Sequence, residues 1–538
     1  MTGSASEYAG TIPRLLAAAA DRDPDGTWLR TDDTTMSFAE AAQRVGGLAE
    51  VLRAAGIRRG DLVMTTARTT PPYLLCWLAL ASLGAVTVPV NPRSAPAELA
   101  GLVRQTQPRA LITDVGLAGL VAAAGIAGLP ELGVLDADAL LAAAAEAGDA
   151  AGLPDAASPD DAAALIPTSG TTGRSKLVIQ THRAYAMAGE GFPFWMELTA
   201  ADRLMTSLPL FHINAPAYSV MGSLACGAGL VLLPRFSASG FLDAARRHGA
   251  TEFNAIGAML EILMRQPPRP DDADTPLRLC YTGPAPERER HLEIERRFGI
   301  RIVVGYAMSE SPYGLIWARG SRPYGTLGSV RQHPVLGDVN EARVVSADGR
   351  VLGPGETGEI ELRNPALTPG YRGMPEETAA LFDGGWLRTG DLVTVGADGT
   401  YTFVSRIKEV IRRRGENLSP LEVEEVLEEH PAVLESAVVG VPSELTEEEV
   451  KAFIVAAPGV DPDFSELHAF AAGRLAAFKV PRYWQQVDAL PRTPTARVAK
   501  HRLPAGHPPG EYDAGAPAPA AAAPAAAAPA AGPAEETT

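Results

Sequence analysis

The chain has 538 residues and a formal net charge of −17, with a sequence pI of about 5.1. This length is too great for one compact domain and predicts two or three, and a hydrophobic content of 46% can supply a large core. The acidic balance argues against a nucleic-acid partner, because phosphate backbones select basic surfaces.

The first part of the chain alternates between helical and strand patterns. Ser37 and Glu40 form a capping-box pattern, after which apolar residues recur at helical spacing. Short apolar runs predict strands at 62–65, 110–113 and 164–167, with helical segments such as 96–107 between them. Strands that alternate with helices imply an α/β protein with stacked layers and mostly parallel sheets.

The longest uncharged run, residues 71–90, is long enough to suit a membrane span. Gly84 interrupts it and valines then alternate, so a buried helix followed by a buried strand is the better interpretation, without a membrane span. The first ten residues lack a signal-peptide pattern. The three cysteines, Cys76, Cys226 and Cys280, have neither disulfide nor metal spacing and predict free thiols in a reducing cytoplasm.

A smaller unit is predicted to begin near Ser405. Its pattern contains helices near 421–430 and 464–477 and strands near 436–441 and 452–455. After Pro508 alanine and proline dominate, and few large apolar side chains remain to offset the entropy of ordering. The predicted organisation is a large α/β region at 1–404, a small α+β domain at 405–508 and a disordered Ala/Pro-rich tail at 509–538.

One loop has the composition of a phosphate cradle. It reads Thr168-Ser169-Gly170-Thr171-Thr172-Gly173-Arg174-Ser175-Lys176. Its glycines give backbone freedom, its hydroxyls donate hydrogen bonds, and Arg174 and Lys176 supply positive charge. It is not a Walker A loop, because no glycine immediately precedes Lys176 and Leu177 follows it. On composition alone, a solvated linker fits equally well.

Together with its surroundings, this loop resembles the signature loop of the adenylate-forming superfamily of acyl- and aryl-CoA synthetases, peptide-synthetase adenylation domains and beetle luciferases. Six further motifs follow in the family's order. They are Pro209-Leu210-Phe211-His212, Gly305-Tyr306-Ala307-Met308-Ser309-Glu310, Gly355-Glu356-Thr357-Gly358-Glu359-Ile360, Gly385-Trp386-Leu387-Arg388-Thr389-Gly390-Asp391, Arg406-Ile407-Lys408-Glu409 with Gly415-Glu416-Asn417, and Pro491-Arg492-Thr493. The resemblance covers about residues 37–503 and is closest to AMP-forming acyl-CoA ligases.

The resemblance implies a large N-terminal region and a small, mobile C-terminal domain, with the active site between them. Residues 168–176 would hold the phosphates of ATP, and Lys176 would contribute positive charge to catalysis. Glu310 resembles the family's magnesium ligand, and Ser309 beside it would donate to a phosphate. Tyr306 is similar to the aromatic residue that stacks on adenine.

Asp391 falls where the family binds the ribose hydroxyls, which suits a carboxylate because it accepts from two adjacent OH groups. By the same resemblance, Arg406 would approach that ribose from the small domain. Lys408 occupies the hinge position between the domains. Gly415 would line the path of the CoA pantetheine arm once the small domain has turned.

The acyl site is also implied by the resemblance. His212 is similar to the aromatic gate between the ATP site and the acyl pocket, and Ile213, Asn214 and Met308 would line that pocket. Gly283 falls where the backbone passes close to the adenine and the acyl group. The apolar context favours a hydrophobic carboxylic acid over an amino acid.

The last motif departs from the family pattern Thr-x-Thr-Gly-Lys. Here the chain reads Thr493-Pro494-Thr495-Ala496-Arg497, so Arg497 stands where the family has its catalytic lysine. Arginine keeps the positive charge but presents a wide planar fork, which puts adenylation in doubt. A coding bias toward arginine is the alternative account, and Lys500 is a distant candidate to substitute.

Several versions of the reaction remain open from the sequence. The first is a complete ligase that uses ATP, magnesium and CoA and passes through an acyl-AMP. The others are an enzyme that only transfers acyl-AMP from a separate adenylating enzyme to CoA, an enzyme that loads a separate carrier protein, and a non-catalytic nucleotide or acyl binder. The presence of Glu310, Asp391 and Arg406 disfavours the last. The sequence specifies neither the acid nor the oligomeric state.

Overall fold

The computed structural model describes residues 9–126, 128, 131–146, 152–168, 175–283, 285–413, 416–442, 448–475, 477–493, 498–504, 506–508 and 510–514. The chain forms two compact units, the first ending at Lys408 and the second beginning at Glu409. The boundary predicted near Ser405 falls slightly earlier, because the last strand of the first unit still pairs at Arg406.

The first unit combines twelve helices with twenty strands among its described residues. The helices are α1 (Ile12–Arg22), α2 (Phe38–Ala54), α3 (Pro71–Ser82), α4 (Pro96–Thr106), α5 (Ala118–Ala124), α6 (Ala137–Glu146), α7 (His182–Met196), α8 (Met221–Cys226), α9 (Phe241–His248), α10 (Gly257–Met264), α11 (Arg288–Phe298) and α12 (Pro375–Leu381), with a π-helical turn at Ala215–Val220 before α8. The strands are β1 (Thr27–Arg30), β2 (Thr35–Ser37), β3 (Leu62–Thr66), β4 (Val86–Pro89), β5 (Ala110–Thr113), β6 (Val134–Asp136), β7 (Ala162–Thr168), β8 (Lys176–Thr181), β9 (Arg203–Thr206), β10 (Gly229–Leu232), β11 (Glu252–Asn254), β12 (Leu279–Thr282), β13 (Arg301–Met308), β14 (Ser311–Ile316), β15 (Ser329–Val330), β16 (Glu341–Val345), β17 (Thr357–Arg363), β18 (Phe382–Asp383), β19 (Trp386–Val395) and β20 (Tyr401–Arg406).

These strands form three sheets. A nine-stranded sheet has the order β15-β14-β13-β12-β11-β9-β10-β1-β2, and a six-stranded sheet has the order β6-β5-β3-β4-β7-β8. Most neighbours in both sheets are parallel, which confirms the predicted α/β class. The third sheet, of β16 to β20, is antiparallel throughout and was not anticipated as a separate layer.

Local sequence signals account for the first helices. The hydroxyl of Ser37 accepts from the Glu40 backbone N–H at 3.1 Å, and the Glu40 carboxylate accepts from the Ser37 N–H at 2.7 Å, so the predicted capping box is confirmed. Helix α3 is buried from Tyr73 to Ser82 on all its faces, as expected for a helix without a polar side that lies in a protein core. No helix among the described residues is both long and apolar enough to cross a membrane.

The strand order places four strand ends at one edge of the large sheet. β9, β11, β12 and β13 are consecutive neighbours and run parallel, so their carboxyl ends meet at the same edge. In open α/β sheets this edge is where ligands bind, because the loops that leave the strands converge there. The segments around Ile213, Ile256, Gly283 and Met308 all follow or end these strands.

Among its described residues, the second unit has a four-stranded sheet, a two-stranded sheet and two α-helices. Its elements are β21 (Ile411–Arg413), β22 (Glu416–Leu418), α13 (Pro420–Glu428), β23 (Val433–Pro442), β24 (Glu448–Ala456), α14 (Phe464–Ala472), β25 (Tyr483–Gln486) and β26 (Tyr512–Asp513). Both predicted helices and both predicted strands are present. α14 ends before the predicted residue 477, because the turn at Gly473 closes the helix.

The prediction of a disordered tail from residue 509 is wrong for its first part. Tyr512 and Asp513 form β26 and pair with β25. The Asp513 carboxylate accepts two hydrogen bonds from Arg482, at 2.9 and 3.0 Å. Tyr512, by strand pairing, and Asp513, by its ion pair with Arg482, thus hold in place a segment whose alanine and proline content had predicted disorder. Residues 515–538 lie outside the described part of the chain.

The three cysteines are free thiols, as predicted. Cys76 and Cys280 are buried, and Cys226 is half-buried. Burial raises the pKa of Cys76 to about 12, so this thiol stays protonated at neutral pH and serves as a core side chain.

A buried carboxyl at the start of β11 gives a testable prediction about stability. Neither oxygen of Glu252 has a hydrogen-bond partner among the described residues, and burial, followed by the charge of Asp202, raises its pKa well above the ordinary value of 4.5. The folded state therefore keeps a proton that the unfolded state releases, and stability is lost as pH rises above about 4.5. We expect Glu252→Gln to raise the melting temperature at pH 8 by roughly a few degrees, with a smaller gain at pH 5. A variant that melts below the wild type at pH 8 would contradict this account of Glu252.

Candidate active site

The predicted phosphate loop is the connection of a β-hairpin. β7 and β8 are antiparallel, and their last pair is Thr168 with Lys176. The two ends of the loop are therefore adjacent, and the side chain of Gln105 donates to the carbonyl oxygen of Ser175 at 2.9 Å. The intervening residues Ser169, Gly170, Thr171, Thr172, Gly173 and Arg174 lie outside the described part of the chain. Their phosphate-binding role stays a prediction.

A tyrosine that the sequence did not single out connects Lys176 with Glu310. The Lys176 Nζ lies 4.4 Å from the centroid of the Tyr371 ring, and the Tyr371 hydroxyl donates to Glu310 Oε1 at 2.9 Å. Burial and the nearby Glu310 raise the pKa of Tyr371, so this hydroxyl remains a donor. A cation, a phenol and a carboxylate are thus linked beside the end of the hairpin loop.

Tyr371 reaches this position because its segment pairs with β8. The Ile179 N–H donates to the Gly370 carbonyl at 3.1 Å, and the Arg372 N–H donates to the Leu177 carbonyl at 2.9 Å. Gly370 has a φ of 135°, which favours glycine, and a Cβ there would overlap Thr378. This arrangement depends on pairing with a strand that is distant in the sequence, so the local pattern around Tyr371 did not predict it.

Glu310 lies with Ser309 at the turn between β13 and β14, where Met308 pairs with Ser311. The Ser309 carbonyl accepts from the Gln180 side chain, and the Glu310 carbonyl accepts from the Thr368 N–H at 2.8 Å. The backbone of the turn is therefore fixed from two sides.

The donor set around Glu310 fits magnesium better than a metal with several protein ligands. Among the described residues no group of three or more His, Cys, Asp or Glu side chains could hold a metal ion. Glu310 offers a single carboxylate, one oxygen of which already accepts from Tyr371. Magnesium is often bound by one carboxylate, with phosphate and water completing its octahedral shell.

A second cluster joins three residues that the sequence predicted for the nucleotide. The Tyr306 hydroxyl donates to Asp391 Oδ2 at 2.7 Å, and Arg406 Nε lies 3.1 Å from Asp391 Oδ1. Asp391 is only 2% exposed, whereas nearly half of the Arg406 side chain is exposed. Burial, followed by the charge of Asp391, raises the pKa of Tyr306, which stays neutral.

The geometry corrects one prediction about this cluster. Arg406 was expected on the small domain, but it ends β20, pairs with Asp391 of β19 and belongs to the first unit. The reason is that the antiparallel sheet continues up to this residue. Tyr306, Asp391 and Arg406 are therefore held together within one unit, and the hydrogen bond to Asp391 fixes the position of the Tyr306 hydroxyl.

The predicted acyl-pocket residues collect at the shared strand edge of the large sheet. Ile213 and Met308 are half-buried against the main core. The Asn214 side-chain oxygen accepts from Asn254 Nδ2 at 2.8 Å, which ties the segment after β9 to the end of β11. The ring of His212 stacks obliquely on Phe211, with centroids 4.4 Å apart.

Gly283 is required by a close backbone approach. A Cβ at this position would lie 2.6 Å from the carbonyl oxygen of Gly305, a distance that Cβ atoms do not tolerate. Any side chain at Gly283 would therefore push β12 away from β13. The structure brings Gly283 and Gly305 together where the sequence placed the adenine and acyl sites.

Three predicted residues remain: Lys408, Gly415 and Arg497. The backbone of Lys408 lies in a 3₁₀ turn at Ile407–Glu409 and is the last residue of the first unit, which suits a hinge. Gly415 and Arg497 lie outside the described residues. Their roles, and that of Lys408, stay predictions.

Lys500 is engaged in a partly buried ion pair. Its Nζ lies 2.7 Å from Glu424 Oε1, and both side chains are mostly buried. The same carboxylate oxygen accepts from the Val438 N–H at 2.6 Å. Removing Lys500 from this pair would leave Glu424 uncompensated, so Lys500 is a poor substitute for a catalytic lysine.

We expect Tyr371→Phe to slow acyl-AMP formation by about tenfold, because it removes the hydrogen bond that orients Glu310 but keeps the ring beneath Lys176. As a positioning residue, Tyr371 should also affect the magnesium concentration needed for half-maximal rate. The matched control is Tyr401→Phe, since among the described residues that hydroxyl makes a single hydrogen bond, of 3.4 Å, to the Ala342 carbonyl. The measurement is pyrophosphate release over a series of magnesium concentrations. Equal behaviour of the Tyr371→Phe and Tyr401→Phe variants would contradict the positioning role of Tyr371.

Comparison with known proteins gives consistent similarities along most of the chain. Residues 16–372 match the family described as AMP-binding enzyme, and residues 422–497 match the AMP-binding enzyme C-terminal domain. The chain is 33% identical over 499 residues to a crotonobetaine/carnitine–CoA ligase of Salmonella paratyphi C, covering 87% of this chain and 92% of that protein.

Solved structures show the same architecture. ATP-bound MatB from Rhodopseudomonas palustris superposes with a TM-score of 0.81 at 28% identity, covering 91% of this chain and 98% of that one. O-succinylbenzoate coenzyme A synthetase (MenE) from Bacillus subtilis, in complex with AMP, superposes with a TM-score of 0.80 at 28% identity, covering 91% and 97%.

Proposed function

We propose that this chain, which belongs to the AMP-binding enzyme family and is an AMP-forming acid–CoA ligase, catalyses both steps of the ligation through an acyl-AMP intermediate. Its substrates are ATP, CoA and a small carboxylic acid. The observation that carries this proposal is the connected set Lys176, Tyr371 and Glu310 beside the end of the hairpin loop. The second cluster, of Tyr306, Asp391 and Arg406, supports it.

In the first step, a carboxylate oxygen of the acid attacks the α-phosphorus of ATP, and the bond to the bridging oxygen breaks to release pyrophosphate. Lys176 and the loop that begins at Thr168 would bind the phosphates. A magnesium ion on Glu310 would neutralise charge on the phosphate oxygens. Ser309 and Arg497 would add a donor and a cation, so catalysis would consist of positioning and charge stabilisation.

In the second step, the CoA sulfur attacks the acyl-AMP carbonyl carbon, the bond to the phosphate oxygen breaks, and AMP leaves. A turn of the second unit about Lys408 would exchange the residues that face the intermediate, bringing the segment at Gly415 toward the pantetheine arm. The nucleotide would remain on Asp391 and Tyr306 through both steps, because both residues lie in the first unit.

The proposed acid has an apolar body. Ile213, Ile256, Ala285 and Met308 are half-buried apolar residues packed on the main core. They follow or end four neighbouring parallel strands and so belong to one edge of the sheet. His212 would stand between this apolar wall and the phosphates.

Acyl-AMP accumulation tests the proposed intermediate. Purified protein with ATP, magnesium and a panel of apolar acids, but no CoA, should retain acyl-AMP that mass spectrometry detects, and added CoA should convert it to acyl-CoA. If no acid yields acyl-AMP, while acyl-AMP supplied from outside is converted, the chain is a transferase that depends on an adenylating partner. If CoA leaves the intermediate intact and a carrier protein discharges it, the acceptor is the carrier.

A further inference from the structure

One buried glutamine on β8 contacts the turn that carries Glu310. Gln180 is fully buried and follows three apolar residues of the same strand, 177–179. Its Nε2 donates to the Ser309 carbonyl oxygen. Its Oε1 is also buried and has no hydrogen-bond partner among the residues that the structure describes. A buried amide with an unsatisfied oxygen costs stability, so the stability of the fold does not explain why a glutamine stands here.

The peptide group on the other side of Glu310 is held through the same strand. The Glu310 carbonyl oxygen accepts from the Thr368 backbone N–H at 2.8 Å. The Thr368 hydroxyl lies 2.7 Å from the Ile179 carbonyl oxygen, the shorter of its two contacts with carbonyl oxygens, and donates to it. Two adjacent residues of β8, Ile179 and Gln180, therefore hold both peptide groups that flank Glu310, one through Thr368 and the other directly.

These contacts determine the direction of the Glu310 side chain. Peptide groups are planar, so the two backbone dihedral angles of Glu310 are the only soft rotations between the peptide group before it and the one after it. The Ser309 carbonyl belongs to the first group and the Glu310 carbonyl to the second. Because both groups are hydrogen-bonded, the bond from Cα to Cβ of Glu310 has a fixed direction. The Tyr371 hydroxyl then holds the carboxylate itself, at 2.9 Å.

The strand that carries Gln180 begins at the predicted phosphate loop. β8 starts at Lys176, and because side chains alternate along a strand, Lys176 and Gln180 face the same side of it. Lys176 lies over the ring of Tyr371, whose hydroxyl bonds to Glu310, and Gln180 bonds to the backbone just before Glu310. One face of β8 thus supports the Glu310 turn at two points.

We propose that Gln180 is a positioning residue for acyl-AMP formation. It sets the direction of the Glu310 carboxylate relative to Lys176, so that one arrangement of the site suits both magnesium and the phosphates of ATP. Pre-set direction matters because a small misplacement of a charged group in an active site lowers the rate strongly. This inference rests on the proposed function, in which Glu310 would hold magnesium and Lys176 would bind the phosphates.

The variant Gln180→Met tests the proposal, because methionine is an unbranched side chain of similar length without an N–H to donate. Acid-dependent pyrophosphate release should fall by about tenfold, and the magnesium concentration for half-maximal rate should rise by about the same factor. Conversion of supplied acyl-AMP and CoA should stay within a few-fold of the wild type. The melting temperature of the ligand-free protein should stay within about 2 °C, because removal of an unsatisfied buried oxygen offsets the lost hydrogen bond.

A matched control and a double variant separate positioning from structural support. Gln266→Met is the control, because Gln266 also donates to a backbone carbonyl, that of Ile262 one turn earlier, and it should leave all these quantities unchanged. If Gln180 acts through Glu310, adding Gln180→Met to Glu310→Gln should slow pyrophosphate release by less than about twofold further. A further tenfold loss in that background would overturn the proposal, as would a Gln180→Met variant that fails to fold or loses both half-reactions equally.

Titration of the ATP-bound protein with magnesium gives a readout that needs neither an acid nor turnover. The affinity for magnesium should fall by about tenfold in Gln180→Met and stay unchanged in Gln266→Met. Equal affinities in the two variants would contradict the positioning role of Gln180. If the wild type forms no acyl-AMP from any acid while the titration still separates the variants, the proposed function fails and the role of Gln180 toward the magnesium site stands.

Discussion

Replacing Glu310 by glutamine is expected to lower the rate of acyl-AMP formation by about two to three orders of magnitude, the cost of losing a preorganised electrostatic contact. The amide keeps the shape of the side chain and can still accept from the Tyr371 hydroxyl, but it loses the charge that a magnesium ion requires. The measurement is acid-dependent pyrophosphate release. Higher magnesium should restore part of the lost rate, and the affinity of magnesium for the ATP-bound protein should fall.

The same variant should retain the second half of the reaction. Acyl-AMP supplied with CoA involves no pyrophosphate release, so its conversion should stay within a few-fold of the wild type. Glu356→Gln is the matched control, because Glu356 is only half-buried and pairs with Arg350. Equal loss in both half-reactions would show that Glu310 supports the structure of the turn and does not act through a metal.

Replacing Asp391 by asparagine is expected to lower kcat/KM for ATP by about 100-fold. The carboxylate accepts from Tyr306 and pairs with Arg406, and hydrogen bonds to a charged group each contribute about 1.5–3 kcal/mol. The neutral amide would weaken both contacts and would accept less well from ribose hydroxyls. Because Arg406 is half-exposed, the loss of its carboxylate partner should lower the free energy of unfolding only slightly.

Asp398→Asn is the control for this variant. Asp398 lies in the turn between β19 and β20, the same hairpin, and bonds only to Thr400 among the described residues. We expect its kcat/KM for ATP to stay within about twofold, as for most exposed substitutions. The affinity for ATP is measured by direct titration. If both variants bind ATP as tightly as the wild type does, Asp391 has no role in nucleotide binding.

Local signals in the sequence were sufficient for many elements. The capping box of Ser37 and Glu40 begins α2, and the uncharged run at 71–90 becomes α3 followed by β4. These features depend on neighbours a few residues apart, so periodicity and capping chemistry determine them.

The features that the sequence missed depend on distant partners. Tyr371 acquires its position from pairing with β8, and the bond from Tyr306 to Asp391 spans 85 positions in the chain. Arg406 was assigned to the small domain because motif order does not show where a sheet ends. β26 was overlooked because its two residues are held by Arg482 and β25, against the composition of the tail.

The central claim is that this one chain catalyses both adenylation and thioester formation. The most direct measurement detects acyl-CoA by mass spectrometry for the wild type and for Arg497→Lys. Each protein receives CoA with one of two supplies: the free acid with Mg-ATP, or the presynthesised acyl-AMP. We expect acyl-CoA from both supplies with the wild type, and a faster free-acid reaction in Arg497→Lys because a compact ammonium fits a crowded site better. Acyl-CoA from the acyl-AMP supply alone would contradict the claim and assign adenylation to another protein.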